Sequence, residues 1–501
     1  MQVTHAASPL AYAPGRAWFW LFSATLCGAV AMSLELVAFR LYAPFFGNSV
    51  YVWGVMISVV MAGLAGGYAV GGRLADRMRG DRMLYAAILL SAAHQLLVLL
   101  LLRPLMPWLA ARGLVLGASL GTLLIFVVPM GALAATGPMV IRLCSRSGLV
   151  GAAAGKVYAL STAGSMAGIV ATSFLLIPHL GTAATLKILC TISFALALAG
   201  LPRFGAAALC ALPLLAAPWA APGIGWDRNT VWSAESPYNL VLVSREGDTT
   251  LLQLNMRRGY QTVRKDSGPW VDSYHDYFAL GPALGRADRV LVLGMGAGAS
   301  IAVTRAVAPQ LPIDAVEIDP AVVDAAARWF GLDRADPHLQ VYTADARPWL
   351  LQSTQRYGIV HVDLYQGGPF IPFYLATEEF FAQLRAHMDE QGVLMMNVCD
   401  VSPHRLLLTP LVATIRKAFP SVLVARTEAT NYMVLAFPQR RSLEQVRQTL
   451  ASAGSGSGRL GEVARQASDS LMDLIPPADA AVFTDDLAPV EEVTMMALRD
   501  R

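Results

Sequence analysis

Residues 289–320, RVLVLGMGAGASIAVTRAVAPQLPIDAVEIDP, decide the fold of this chain. The apolar run at 290–293 predicts a buried parallel strand that leads directly into a tight turn. The turn contains Gly294, Gly296 and Gly298, which let the backbone approach a ligand closely. A helix-compatible stretch follows, and the next apolar strand ends at Glu317 and Asp319, where a carboxylate can accept hydrogen bonds from ribose hydroxyls. This order predicts a nucleoside-binding βαβ unit, although a turn whose glycines only ease packing would give the same pattern.

The chain divides into two halves of different composition. It has 501 residues, of which 55% are hydrophobic, and its mean hydropathy is +0.49. Residues 1–225 hold only 16 of the 73 charged residues. This asymmetry predicts an integral membrane domain of six to seven helices at 1–225 and a soluble part at 226–501. Within the soluble part, the sequence patterns predict a small β subdomain at 226–280 and an α/β domain at 281–501.

Composition also limits the partners and cofactors of the chain. The net charge of +3 is too small to indicate nucleic acid. The five cysteines follow no spacing typical of a disulfide framework or a metal site, so no metal is predicted. A lipid bilayer and a small-molecule substrate are the expected partners.

Apolar stretches long enough to span a bilayer recur through the first half. They lie at roughly 17–39, 49–72, 83–102, 114–141, 157–178 and 182–201, with a shorter seventh at 204–221. If the N-terminus and alternate loops share one side, that side carries nine Lys and Arg residues and the other carries four. The positive-inside rule therefore predicts that the N-terminus of this multi-pass protein is cytoplasmic. Seven full spans would export the soluble half, whereas six spans, or a re-entrant seventh, would keep it in the cytoplasm, where a nucleoside cofactor is made.

The soluble half alternates between strand and helix patterns. Residues 235–263 alternate apolar and polar residues around a Glu-Gly-Asp turn, which predicts a β-hairpin or small antiparallel sheet. Beyond residue 289, strands and helices follow one another as far as a strand pair at 421–426 and 431–437, with helices at 442–452 and 459–474. This alternation predicts an α/β, doubly wound, mostly parallel sheet.

Acidic residues lie at the predicted carboxyl ends of successive strands, where open α/β sheets bind ligands. They are Glu317 and Asp319, Asp345 in Thr-Ala-Asp-Ala346, and Asp363 in His-Val-Asp-Leu-Tyr. We expect Glu317 to bind ribose, Asp345 the adenine amino group, and Asp363 to face the reacting end. Each acid could instead cap the helix that follows it.

From Glu235 to its C-terminus the chain resembles the spermidine synthase (polyamine aminopropyltransferase) family. The likeness rests on several short motifs that occur in the family's order. They are Glu-Ser-Pro-Tyr238, Tyr274-His275-Asp, the glycine turn, Val-Glu317-Ile-Asp319, Ala-Asp345-Ala346, Val-Asp363 with Gly368-Pro369, and Thr484-Asp-Asp-Leu-Ala-Pro-Val-Glu491. The first half looks like the multi-span extension of some bacterial members.

The resemblance implies a Rossmann-like domain of the class I methyltransferase type. It also implies transfer of an aminopropyl group from decarboxylated S-adenosylmethionine to an amine, with release of methylthioadenosine. In this reading Asp363 is the general base or amine anchor, Tyr274 and His275 orient the tail, and Gln261 and Tyr238 lie over the co-substrate. A homodimer is compatible with the resemblance.

Two positions depart from the family's pattern and bear on substrate selectivity. The family turn carries an aspartate where this chain has Ala297, and a second acid follows the catalytic one where this chain has Gln366. Intact S-adenosylmethionine is therefore a second candidate donor, in a lyase or cyclisation reaction without an amine. Two further functions are compatible with the sequence. One is a methyltransferase on the same fold, and the other is a nucleoside-sensing transporter, because the loop at 71–79 resembles that of facilitator transporters.

The predicted topology can be checked with a phosphatase that is active only outside the cytoplasm. We expect it to be inactive when fused after Arg501 and active when fused after Arg112, which lies in a loop on the opposite side. Phosphatase activity after Arg501 would instead require seven full spans.

Overall fold

A computed structural model describes residues 14–46, 50–145, 150–201, 229–255 and 259–500. The chain divides into two compact units, Met1–Trp226 and Asp227–Arg501. The apolar segment predicted at 204–221 lies outside the described residues.

The described part of the first unit contains six helices that are long and apolar enough to cross a membrane. They are α1 (Pro14–Phe46), α2 (Val50–Arg77), α3 (Arg82–Ala110), α4 (Val115–Cys144), α5 (Val150–Leu180) and α6 (Thr182–Gly200). Two of them contain one wider π-helical stretch each, Leu123–Val127 in α4 and Thr172–Leu176 in α5. The π stretch in α4 lies just before Pro129, which cannot donate a backbone hydrogen bond.

Glycine lets these helices approach one another backbone to backbone. A Cβ atom added at Gly164 in α5 would lie 2.0 Å from the carbonyl oxygen of Thr25 in α1, and one at Gly168 would lie 2.4 Å from that of Ala29. In α2, a Cβ at Gly67 would lie 2.3 Å from the carbonyl oxygen of Gly131 in α4. Because no side chain fits at these crossings, small residues determine how closely these helices pack.

The second unit contains two sheets. The smaller is a four-stranded antiparallel sheet in the order β1-β2-β3-β4. Its strands are β1 (Thr230–Glu235), β2 (Leu240–Glu246), β3 (Thr249–Leu254) and β4 (Thr262–Lys265). The predicted hairpin is thus the β2–β3 pair at its centre.

The larger sheet has eight strands. They are β5 (Val290–Leu293), β6 (Ile313–Glu317), β7 (Leu339–Thr343), β8 (Tyr357–Val362), β9 (Met388–Cys399), β10 (Ser421–Arg426), β11 (Asn431–Phe437) and β12 (Leu471–Met472). Their order is β12-β10-β11-β9-β8-β5-β6-β7. Strands β5 to β9 pair in parallel, whereas β10, β11 and β12 join antiparallel. The central strands β5 and β8 are buried throughout, as the unbroken apolar sequence of β5 predicts.

Helices cover both faces of this sheet. They are α7 (Ala299–Val307), α8 (Pro320–Trp329), α9 (Ala346–Gln352), α10 (Glu378–Ala386), α11 (Leu408–Ala418), α12 (Leu443–Gly454), α13 (Arg459–Ser470) and α14 (Val490–Arg499). One buried cluster of side chains contains Val292 and Ile359, and another contains Leu293 and Val360 from the same two strands. This arrangement confirms the predicted doubly wound α/β fold.

The predicted helix at 459–474 is too long. It ends at Ser470, and the next two residues form β12, which pairs antiparallel with Val424 and Ala425 of β10. Two residues are too few for apolar periodicity to distinguish a strand from a last helical turn. Pairing also satisfies backbone groups that the edge of β10 would otherwise expose.

Replacing Gly164 by Ala should lower the thermal unfolding temperature of the detergent-purified protein, because the new methyl group would collide with the backbone at Thr25. Gly155 is the matched control in the same helix, since a Cβ there meets nothing within 4 Å. Gly155→Ala should be neutral or slightly stabilising, by up to about 1 kcal/mol. Equal effects of the two substitutions would contradict the close helix contact.

Candidate active site

The site is built at one edge of the larger sheet, where parallel strands bring their carboxyl ends together. Strand β5 pairs with β6 on one side and with β8 on the other, and β6 pairs with β7. The glycine turn, Glu317, Asp345 and Asp363 follow the ends of these strands. The parallel pairing of these strands therefore brings the predicted residues to one edge of the sheet. Each of them has its own hydrogen-bond partners there.

The glycine turn is in contact with the backbone of Asp363, the residue that follows β8. Gly294, Gly296 and Gly298 have φ angles of 75°, 53° and 90°, in the left-handed region that favours glycine. A Cβ at Gly294 would lie 2.2 Å from the carbonyl oxygen of Asp363. The structure therefore requires glycine here for both conformation and space.

Glu317 lies beneath this turn and supports it. Its side chain accepts hydrogen bonds from the backbone N–H groups of Gly296, at 3.0 Å, and Asp319, at 3.1 Å. Burial raises the pKa of Glu317 to about 7, and these two backbone donors oppose the shift. Ribose hydroxyls would add donors of the kind that a desolvated carboxylate needs.

Asp319 is fully buried and already bonded within the protein. Its Oδ1 accepts from the backbone N–H of Ala321, which caps α8, and its Oδ2 accepts from Ser236 Oγ at 2.7 Å and Asn239 Nδ2 at 2.8 Å. These bonds fasten the β1–β2 turn, which carries the exposed Tyr238, to the larger sheet. Asp319 therefore positions the β1–β2 turn.

Asp345 caps α9 and contacts an aromatic residue that the sequence did not indicate. Its Oδ1 accepts from the backbone N–H of Arg347, and its Oδ2 accepts from the hydroxyl of Tyr374 at 2.8 Å. Ala346 is buried beside it. A nucleoside that uses Oδ2 must share or displace the Tyr374 hydroxyl.

The C-terminal motif holds Tyr374 in place. The guanidinium of Arg347 donates to both carboxylate oxygens of Asp485, at 2.7 and 2.6 Å, and to the carbonyl oxygen of Tyr374 at 2.9 Å. Thr377 also donates to Asp485. The motif that begins at Thr484 thus supports the Asp345 side of the site.

Asp363 is held by two donors. Its Oδ2 accepts from the hydroxyl of Tyr274 at 3.1 Å, and its Oδ1 accepts from Asn397 Nδ2 at 3.0 Å. Burial raises the pKa of Asp363 to about 7, while the two hydrogen bonds oppose the shift. The residue keeps a partial exposure at the edge of the sheet, which a substrate needs. A carboxylate with a pKa near neutrality is suited to act as a general base.

The ring of His275 stacks on the ring of Tyr274 and supports it. The two rings stack with centroids 4.0 Å apart. The Nδ1 atom of His275 lies 2.9 Å from Ser273 Oγ, and its Nε2 lies 3.2 Å from the backbone oxygen of Gln261. Burial lowers the pKa of His275 to about 4, so the ring is neutral near pH 7. In this geometry His275 positions Tyr274, and Gln261 contributes its backbone oxygen.

The sequence did not indicate the two asparagines that support Asp363. Asn397 lies in β9 and Asn431 begins β11, and Asn431 Nδ2 donates to Asn397 Oδ1 at 2.9 Å. This bond turns the amide N–H of Asn397 toward Asp363. The sequence signal that could have indicated them is an asparagine inside or at the start of an apolar strand, in Met-Met-Asn-Val and Asn-Tyr-Met-Val.

The two positions that depart from the family pattern lie in different surroundings. Ala297 is buried, and its backbone N–H donates to Thr262 Oγ1 at 3.0 Å. Gln366 is exposed in the loop after Asp363, and its backbone N–H donates to the carbonyl oxygen of Phe370. Neither position supplies a negative charge. In the part of the chain that the structure describes, no group of three His, Cys, Asp or Glu side chains could hold a metal ion.

Comparison with known proteins identifies similar sequences and folds. Residues 274–437 match the family described as spermine/spermidine synthase domain. A probable polyamine aminopropyl transferase of Bifidobacterium longum (strain NCC 2705) is 29% identical over 301 residues, which cover 54% of this chain and 64% of that protein. The eEF1A lysine and N-terminal methyltransferase of Mus musculus is 27% identical over 189 residues, covering 33% of this chain and 26% of that protein.

A solved structure of a probable spermidine synthase from Corynebacterium glutamicum ATCC 13032 is 18% identical and gives a TM-score of 0.40, over 51% of this chain and 96% of that one. The chain spans less than two thirds of the length of either curated relative.

Replacing Asn397 by Leu should raise the pKa of Asp363 above about 7, because the lost donor stabilises the ionised form. A hydrogen bond to a charged group is worth about 1.5–3 kcal/mol, which corresponds to about one to two pKa units. Infrared-detected titration of the carboxyl band measures the shift, and Asp363→Asn identifies the band. Asn431→Leu should shift the pKa in the same direction by less, and an unchanged titration in both variants would contradict the proposed support.

Proposed function

We propose that the soluble unit transfers an aminopropyl group from a sulfonium nucleoside to an amine, because residues 274–437 match the family model of the spermine/spermidine synthase domain. The donor is decarboxylated S-adenosylmethionine, and methylthioadenosine is released. One observation carries the proposal: Asp363 is held by Tyr274 and Asn397 and has a pKa near 7, at the strand end beside the glycine turn.

The donor would bind along the edge formed by β5, β6 and β7. Gly294, Gly296 and Gly298 carry no side chain and have positive φ angles, so the backbone of the turn would be able to approach the nucleoside closely. Glu317 would accept hydrogen bonds from the ribose, and Asp345 with Ala346 would lie at the adenine. Tyr238 and Gln261, from the smaller sheet and the turn before β4, would border the nucleoside. Asp319 would act indirectly, by holding the β1–β2 turn.

The reaction needs an amine free of its proton and aligned with the propyl carbon next to sulfur. The amine nitrogen attacks this carbon, the carbon–sulfur bond breaks, and its electron pair remains on sulfur as neutral methylthioadenosine. The proton of the amine passes to Asp363, whose raised pKa makes it a better proton acceptor than an ordinary carboxylate. Tyr274 orients Asp363 through its hydroxyl, and His275 keeps the Tyr274 ring in place.

Ala297 favours a second candidate function. The buried methyl group of Ala297 offers no charge to the ammonium of the donor's tail, and Gln366 offers none to the acceptor. A site without these charges would also accept the carboxylate of intact S-adenosylmethionine. In a cyclisation, the donor's own carboxylate oxygen would attack the carbon next to sulfur in place of the amine, and methylthioadenosine and a lactone would be released. In a lyase reaction, a base would remove a proton from the neighbouring carbon, and methylthioadenosine and an alkene would be released.

The six long apolar helices of the described residues are compatible with a first unit that spans a membrane. For the whole chain we propose a multi-pass location in a bacterial inner membrane, with the soluble unit in the cytoplasm. The lipid bilayer would be a partner of the first unit, and a homodimer stays a prediction.

Chromatography of the products tests the proposal directly. Full-length protein in detergent is incubated with decarboxylated or intact S-adenosylmethionine, without and with 1,4-diaminobutane. We expect methylthioadenosine only with the decarboxylated donor and the amine. Asp363→Asn should lower this turnover by about 10²-fold or more while nucleoside binding persists, because general base catalysis contributes on this scale.

The remaining outcomes discriminate between the candidate functions. Methylthioadenosine from the intact donor without amine would indicate the lyase, and S-adenosylhomocysteine would indicate a methyltransferase. Nucleoside binding without any product would favour a sensor. Ala297→Asp is the matched donor variant, and it should shift kcat/KM toward the decarboxylated donor because it introduces a carboxylate beside the turn.

A further inference from the structure

A carboxylate outside the predicted motifs lies beside the proposed acceptor site. Glu428 belongs to loop 427–430 between β10 and β11. This loop lies at the same edge of the sheet as Asp363, because β11 begins there with Asn431 and runs antiparallel to β9. Glu428 is exposed, and its Oε1 accepts a hydrogen bond from the backbone N–H of Tyr274 at 2.7 Å.

The loop that carries Glu428 is fastened at both ends. The backbone N–H and the hydroxyl of Thr427 both donate to the carbonyl oxygen of Asn431, at 3.0 Å each. The carbonyl oxygen of Thr430 accepts from the backbone N–H of Asp400 at 2.8 Å. These bonds give Glu428 a defined position relative to the strands of the site.

Tyr274 connects this carboxylate to the proposed general base. Its backbone N–H contacts Glu428 and its hydroxyl contacts Asp363, so one tyrosine separates the two carboxylates. Stacking on His275 fixes the ring between them. A linear molecule lying along Tyr274 could therefore meet a carboxylate at each end.

Two neighbouring arginines direct their guanidinium groups to acceptors other than the Glu428 carboxylate. The guanidinium of Arg426 donates to the backbone carbonyls of Glu428 and Ala429, at 3.2 and 3.1 Å. Arg459 pairs with Asp272, Asp276 and Glu462. Within the described residues, Glu428 forms no ion pair.

We infer that Glu428 binds the distal ammonium of a linear diamine whose other nitrogen lies at Asp363. The inference rests on the proposed function and adds a specificity-determining residue to its acceptor site. Gln366 lacks the negative charge that the family pattern has after the catalytic acid, and Glu428 supplies one from the loop between β10 and β11. It would select diamines over monoamines of the same length, since a monoamine has no second charge to pair.

Steady-state kinetics with two acceptors tests this inference. Glu428→Gln keeps an oxygen that can accept from Tyr274 but removes the charge. We expect KM for 1,4-diaminobutane to rise about fivefold, as for a charge pair that stays in contact with solvent, while KM for 1-aminobutane stays unchanged. Glu444→Gln, which alters an exposed carboxylate in α12, should change neither value.

A second variant separates acceptor binding from structural support. Glu428→Ala also removes the bond to Tyr274 and should lower kcat for both amines, because Tyr274 orients Asp363. Equal changes of KM for the two amines in Glu428→Gln, or no change in either, would overturn the inference.

A binding measurement distinguishes failure of this inference from failure of the proposed function. Calorimetry of each amine with the protein saturated in methylthioadenosine needs no turnover. Weaker binding of only the diamine to Glu428→Gln supports the inference. Equal binding to wild type and variant overturns the role of Glu428 and leaves aminopropyl transfer standing. Absence of product from wild-type protein with every donor and amine overturns the proposed function, and absence of diamine binding overturns the inference.

Discussion

Asp363 is a largely desolvated carboxylate at the carboxyl end of a central strand of the eight-stranded sheet, and much of the surrounding structure supplies its hydrogen-bond donors. A desolvated carboxylate needs donors, and Tyr274 and Asn397 each supply one. Each donor in turn needs support, which His275 gives to the tyrosine and Asn431 gives to the amide. The neighbouring turn must also tolerate a close backbone, and glycine at 294 is the residue that allows this.

The four acids at the strand ends have two kinds of environment. Glu317 and Asp363 are desolvated, and burial raises their pKa values to about 7. Further hydrogen-bond donors would stabilise their ionised forms, and each carboxylate can accept a proton near neutral pH. Asp319 and Asp345 each cap a helix with one oxygen and accept from Ser236, Asn239 or Tyr374 with the other. Glu317 and Asp363 also have a donor on each oxygen, but they cap no helix. The first pair is suited to contact ligands, and the second pair holds the neighbouring segments. Similar positions at strand ends thus serve different purposes.

The fold and the line of acids could be predicted because both follow from order along the chain. An apolar run, a glycine turn and an acid at the next strand end specify a βαβ unit without knowledge of distant contacts. The asparagines could not be found in this way, because their role depends on β11 lying beside β9, and a polar residue in an apolar strand has many explanations. Glu428 was missed for the same reason, since its contact with Tyr274 joins residues far apart in sequence. The helix predicted at 459–474 failed at its end because pairing with β10 outweighs local periodicity over two residues.

The strand order also affects how the protein is made. Strand β11 inserts between β9 and β10, although β10 precedes it in the chain. Ribosomes synthesise the chain from its N-terminus, so the glycine turn and Asp363 leave the ribosome well before Asn431. Until then, the amide of Asn397 lacks the partner that turns it toward Asp363. A nascent chain that stops before β11 therefore carries every acid at the strand ends and Tyr274, but lacks the bond that turns Asn397 toward Asp363. The second support of the base is added late in translation.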